Sequence, residues 1–293
     1  MHPNYLEGKK RLHFIGIGGS GMFPLVQILH KKGYSITGSD NNESDILKMV
    51  RALKIPVFMG QCAENIKDAE LVIYSAAIQK DNPELAEAIN RNIPTIERSA
   101  MLGLFTQWFA TCICVAGTHG KTTASSMLTE LLKGAELDPS YVIGGKLKST
   151  GNYGFYGNPD LMVCEACEFV DTFLKLSPSV SVILNIDRDH MDYFKTMENL
   201  KNSFVSFCKN ARDFVLYNGD DPNASEVVER ANPARCVSFG FSSSNKYCPK
   251  NIKTEGGAQT SFDLYSGDEF ITTLTIHVPG RHNILNAVSA AAA

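Results

Sequence analysis

Short apolar runs alternate with amphipathic stretches through the first hundred residues. The runs at 12–17, 35–38, 71–74 and 93–96 read as strands, and the 3.6-residue pattern over 21–32, 43–53 and 83–91 reads as helix. Strands and helices alternating at this rhythm predict a parallel sheet with helices on its faces. At 111–116 the pattern restarts, with a buried strand passing through a glycine-rich turn into a helix over 121–133. This second start predicts two domains, 1–107 and 108–293. Further strands are expected at 161–167, 180–186 and 214–217, and a helix at 198–208. From 237 to 278 the pattern changes, with Leu274, Ile276 and Val278 alternating with Thr273, Thr275 and His277. That is the signature of a half-buried antiparallel meander, expected at the edge of the second sheet. Residues 283–293 read as a helix with no stop signal, so the chain is expected to end in mid-helix.

Composition narrows the classes. A hydrophobic fraction of 44% and a charged fraction of 20% exclude a disordered or fibrous chain. With 28 Lys and Arg against 31 Asp and Glu, the net charge is −3. Neither nucleic acid nor an anionic membrane is then expected as the main partner, since both reward clustered cations. The N-terminal apolar run is broken by Gly16, Gly18 and Gly19, unlike a signal peptide, and no run approaches the roughly 20 residues that span a bilayer. Eight cysteines spread through a chain too long to need staples fit reduced thiols in a cytoplasm. Cys164 and Cys167 form a C-x-x-C with no second pair at zinc-ligand spacing.

Two loops carry phosphate-binding chemistry. Gly16, Gly18, Gly19, Ser20 and Gly21 lie in a G-x-G-x-x-G string between a strand and a helix, where backbone amides and the helix dipole favour a diphosphate. Ser39 and Asp40 end the next strand, where a carboxylate accepts from a ribose hydroxyl. The motif leaves open whether the ligand is a dinucleotide or a nucleotide sugar. The second loop, Gly117, Thr118, His119, Gly120, Lys121, Thr122 and Thr123, matches the Gly-Lys-Thr half of a P-loop. Its amides cradle phosphates, Lys121 reaches the β- and γ-oxygens, and the Thr122 hydroxyl suits Mg²⁺. The fold class is therefore α/β: a Rossmann-like parallel-sheet domain followed by a P-loop-type ATP-binding domain with an added antiparallel segment. Glu165 and the Asp187-Arg-Asp189-His190 group close two of its strands, the position from which acidic groups reach a ligand in an open α/β sheet.

Four strings in order, Gly117-Thr-His-Gly-Lys-Thr-Thr123, Glu165-Ala-Cys-Glu168 with Asp171-Thr-Phe-Leu174, Asn185-Ile-Asp-Arg-Asp-His190-Met-Asp192 and Pro279-Gly-Arg-His-Asn283-Ile-Leu-Asn286, resemble the Mur ligases. The resemblance implies three domains, of which the C-terminal, amino-acid-binding one is absent from this chain. It further implies ATP and Mg²⁺ as cofactors and UDP-N-acetylmuramate and L-alanine as substrates. Lys121, Glu165 and His190 would be catalytic, with Thr122, Glu165 and His190 on the metal and His282 and Asn286 facing adenine. The first loop would then hold the UDP diphosphate. A cytoplasmic monomer or weak homodimer is expected, inactive as this fragment alone. Cys167 departs from the family pattern, where many relatives carry Asp. A Mur-type ligase adding another amino acid or peptide, and an NAD-dependent oxidoreductase using the first loop, remain as alternatives.

Overall fold

The computed structural model describes residues 5–256 and 259–293. The chain divides into two compact units, residues 1–102 with 152–156 and residues 103–151 with 157–293.

In the first unit the elements are β1 (Arg11–Ile15), α1 (Phe23–Lys31), β2 (Ser35–Asp40), α2 (Asp45–Ala52), β3 (Val57–Met59), β4 (Leu71–Tyr74), α3 (Pro83–Asn90) and β5 (Thr95–Glu97), and α4 (Arg98–Thr106) carries the chain onward. The sheet order is β3-β2-β1-β4-β5, parallel throughout. The chain leaves β1 for β2 on one side and returns to β4 on the other. Strand order thus reverses beside β1, and the glycine loop that follows β1 opens there, where open α/β sheets bind ligands. Apolar side chains of Ile15, Ile66, Val72, Leu85 and Ala88 fill one core of this unit.

The second unit begins with β6 (Thr111–Ala116), α5 (Lys121–Gly134) and β7 (Pro139–Val142). After β8 (Gly154–Phe155), in the segment grouped with the first unit, come β9 (Asn158–Glu165), β10 (Val180–Ile183), the one-turn α6 (Met191–Phe194) and α7 (Met197–Lys209). Then follow β11 (Phe214–Asn218), α8 (Pro222–Ala231), β12 (Cys236–Phe239), β13 (Tyr247–Glu255), β14 (Gln259–Ser266), β15 (Glu269–Ile276) and α9 (Arg281–Ala292). The sheet of this unit runs β15-β14-β13-β12-β11-β10-β6-β9-β7. Strands β7, β9, β6, β10, β11 and β12 are parallel, and β13 to β15 form an antiparallel meander at the edge. Order reverses at β6, whose five residues from Cys112 to Ala116 are buried and whose carboxyl end delivers the second glycine loop.

Several expectations shift. The strand expected over 180–186 ends at Ile183, because the next residues bend to bond the glycine loop. Six elements, β3, α4, β7, β8, α6 and α8, were not expected. α4 carries Gly103 mid-helix, where a Cβ would lie 2.4 Å from the Lys175 carbonyl oxygen, so its helical pattern is weak. β3, α6, β7 and β8 are four residues long or shorter, too short to carry a period, and α8 does announce itself locally by the Asp221 cap before Pro222.

Candidate active site

The second glycine loop is fastened to the loop after β10. Asn185 accepts from the His119 amide at 2.8 Å and donates to the His119 carbonyl at 2.9 Å. The Thr118 amide donates to the Asn185 carbonyl at 3.0 Å, and the Thr118 hydroxyl accepts from the Asp187 amide at 2.9 Å. The Thr118 and His119 amides are therefore committed, which narrows the expected phosphate cradle to the first turn of α5, whose amides have no intrahelical acceptor. Gly120 starts that turn at φ +85°, and a Cβ there would meet Asn286 Oδ1 at 2.7 Å. Only glycine fits both constraints.

Lys121 points back over the loop. Its ammonium donates to the Gly117 carbonyl at 2.6 Å and to Glu168 at 2.9 Å. The Glu168 side chain is 1% exposed and that of Lys121 14%. A buried carboxylate needs such a partner, and Lys121 supplies it. Thr122 Oγ1 donates to Glu165 Oε2 at 2.8 Å, which also accepts from the Gly144 amide at 2.7 Å. His190 stands instead with Glu168 and Asp189, their ligand atoms all within 4.8 Å of one another. The expected metal residues thus fall into two neighbouring sets, Thr122 with Glu165 and His190 with Glu168 and Asp189. Carboxylates, a hydroxyl and an imidazole are donors that suit a small divalent cation.

Beside His190 the backbone is strained. Val170 and Asp171 have φ +52° and +55°, and His190 has φ +51°. For a β-branched residue this is an outlier, of the kind that costs about 1–3 kcal/mol and persists where surroundings impose it. Phe169 lies 4.7 Å from the His190 ring and 6.4 Å from Tyr193. The Tyr193 hydroxyl donates to Asp171 at 2.6 Å, and that bond pushes the Tyr193 phenol up. Cys167 is exposed, yet desolvation pushes its thiol up as well, and Cys164, the other half of the C-x-x-C, is buried; both are free.

A cavity of about 400 Å³ adjoins the loop, lined by His119, Gly120, Asn185, Asn218, Phe239, His282 and Asn286. Its size suits a nucleobase and sugar. His282 and Asn286, which the resemblance would turn toward adenine, both line it; Asn218 and Phe239, from β11 and β12, were not foreseen because only the folded sheet brings them there.

In the first unit the loop after β1 is likewise braced. Gly16 and Ile17 amides donate to the Ser39 carbonyl at 2.9 and 3.0 Å, and the Gly18 amide donates to Asp40 Oδ2 at 2.9 Å. A Cβ on Gly18 would meet that oxygen at 2.8 Å. Ser39, expected to face the ligand, is fully buried and donates its hydroxyl to Glu84, itself fully buried and accepting from Asn65 at 2.6 Å. Its role is to hold the floor of the loop. Ser20 is exposed, and Arg98 comes close enough that a Cβ on Gly21 would lie 3.2 Å from its guanidinium. Sequence reading missed this cation, which lies 77 residues along the chain at the start of α4.

Two α/β units, each with a glycine loop at the point where strand order reverses, and in the second an ion-paired lysine beside acidic groups, make up an α/β protein with two loops of the phosphate-binding kind. Residues 115–293 match the Mur ligase middle domain and residues 11–109 the Mur ligase family catalytic domain, so the chain belongs to the Mur ligase family. Within it, the chain is 37% identical over 99% of its length to UDP-N-acetylmuramate–L-alanine ligase of Clostridium beijerinckii, and 40% identical over 99% to the ligase of that name from Clostridium novyi. It spans 63% of the length of each. The crystal structure of UDP-N-acetylmuramate-alanine ligase MurC from Thermotoga maritima superposes with a TM-score of 0.83 at 27% identity, covering 96% of this chain and 64% of that one. Among the described residues, no helix is long and apolar enough to cross a membrane.

Proposed function

We propose that the protein acts in an ATP-dependent ligase that joins L-alanine to the lactyl carboxylate of UDP-N-acetylmuramate, in the cytoplasm, during peptidoglycan precursor synthesis. The observation that supports this most is the joining of Lys121, Thr122, Glu165, Glu168 and His190 around one glycine loop, while a second glycine loop with Asp40 and Arg98 occupies a separate unit. A single-cofactor oxidoreductase leaves the Lys121 centre without a task. Identity to ligases of this name points the same way.

A carboxylate is a poor electrophile. Its oxygen attacks the γ-phosphorus of ATP, ADP leaves, and an acyl phosphate results; the alanine amine then attacks the acyl carbon, inorganic phosphate leaves and the nitrogen gives up a proton. Lys121 exchanges Glu168 for phosphate oxygens and neutralises charge on the transferring group. The first amides of α5 hold the same phosphates, and the cavity beside His282 and Asn286 takes the adenosine. Glu165, Thr122, His190, Glu168 and Asp189 are the residues that would hold Mg²⁺, which supplies charge neutralisation at the phosphates when bound.

Hydroxylamine trapping of the acyl phosphate, with the complete protein, UDP-N-acetylmuramate and ATP, tests this. Lys121→Ala is expected to abolish the trapped product while leaving sugar-nucleotide affinity within about twofold, given that one tenfold step needs 1.4 kcal/mol. Equal loss of both overturns the two-site assignment.

A further inference from the structure

The turn at 168–171 and the turn at 190–194 are joined by contacts that the ligase chemistry above leaves unused. Asp171 accepts from the Tyr193 hydroxyl at 2.6 Å through one carboxylate oxygen, and from the buried Ser203 hydroxyl of α7 through the other. Both oxygens are thereby spoken for, on two different helices. The residue that takes them sits at φ +55°, next to Val170 at φ +52°, a backbone that relaxes unless something fixes it. Phe169 and Tyr193 stay 40% and 38% exposed, so burial of apolar surface does not explain why they are packed here. Of the two, Phe169 packs on His190, its ring 4.7 Å from the imidazole and tilted by 43°, and the Tyr193 ring lies 6.4 Å from that of Phe169. α6, which His190 caps, is a single turn and has little intrinsic stability to orient a side chain.

We propose that Asp171 is a positioning residue: it locks the 168–171 turn to Tyr193 and Ser203, and so holds the His190 imidazole, through Phe169, beside Glu168 and Asp189 for a divalent cation. This rests on the reading of Glu168, Asp189 and His190 as a cation site. Residues that orient a ligand from behind change metal affinity even though they never touch the ion.

The test is Mn²⁺ binding to the 293-residue chain, followed by electron paramagnetic resonance, with the thermal midpoint recorded for each variant. Asp171→Ala and Tyr193→Phe are each expected to weaken Mn²⁺ binding, Asp171→Ala by about 10-fold. The double variant is expected to be no weaker than Asp171→Ala alone, because both act through one bond. Asp171→Asn, which keeps an oxygen for Tyr193, is expected to recover most of the affinity and guards against a variant that simply unfolds. His190→Ala reports on the site itself. If His190→Ala weakens binding while Asp171→Ala and Tyr193→Phe bind like the unaltered chain, the latch is wrong and the cation site stands. If His190→Ala binds Mn²⁺ unchanged, the cation site is wrong and the latch falls with it.

Discussion

Lys121 and Glu168 show at the scale of single residues how a charge is held beside the glycine loop. The carboxylate is 1% exposed, so removing the ammonium strands a buried charge. Lys121→Ala is expected to lower stability by about 3–5 kcal/mol, and Lys121→Ala with Glu168→Gln to recover much of that, as read by urea unfolding. Loss of activity in the single variant is therefore to be judged against its fold. Glu84 is the matching case in the first unit, where Glu84→Ala leaves the buried Ser39 hydroxyl without its acceptor and Asn65 with only the Gly60 carbonyl, and is expected to cost about 1–3 kcal/mol. Gly120→Ala forces a side chain into left-handed backbone and against Asn286. It is expected to weaken ATP binding by calorimetry more than it lowers the thermal midpoint. Gly120, Lys121 and Thr122 were legible in the sequence because their motif is contiguous. Glu168 stood in plain sight in the string Glu165 to Glu168, yet its partner is 47 residues away, and only the parallel β6–β9 pairing reveals the bond. Arg98 and Asn218 carried no local signal at all.

At the scale of elements, periodicity revealed what is amphipathic and missed what is short or interrupted. The antiparallel meander was readable because one face is half buried, with Phe262 and Leu264 of β14 inside and the β15 threonines outside. The register that lays β13 on β12 at Phe239 and Tyr247 was not, since it depends on a single bridge. α8 could have been found from its cap, Asp221, whose carboxylate accepts from the Ala224 amide at 2.8 Å. Burial pushes the Asp221 carboxyl up from its ordinary 3.8, against those amide bonds. The folded state then holds the proton more tightly than the unfolded one, so this group's contribution to stability falls as pH rises from about 3.8 through its raised value and stays low above it. Asp221→Asn keeps the cap and removes the buried charge, so thermal unfolding at pH 7 is expected to show equal or higher stability and a flatter pH profile in that window. Asp221→Ala loses the cap itself and is expected to cost about 1 kcal/mol.

For the molecule as a whole, one design occurs twice. A parallel sheet reverses its strand order, a glycine loop opens at that place, and the loop's own amides are partly spent on bracing it, to Ser39 and Asp40 in one unit and to Asn185 in the other. The α/β class and both loops followed from the alternation of runs and glycines. Which amides remain for phosphate did not, because it depends on the loop after β10 folding back. If the two loops serve two different nucleotides, calorimetric titration of the chain separates them. UDP-N-acetylmuramate and Mg·ATP are each expected to bind with one site, the first weakened by Arg98→Ala and untouched by Gly120→Ala, the second the reverse. Binding of NADH in place of the sugar nucleotide, or loss of both ligands with either variant, would contradict the two-site assignment.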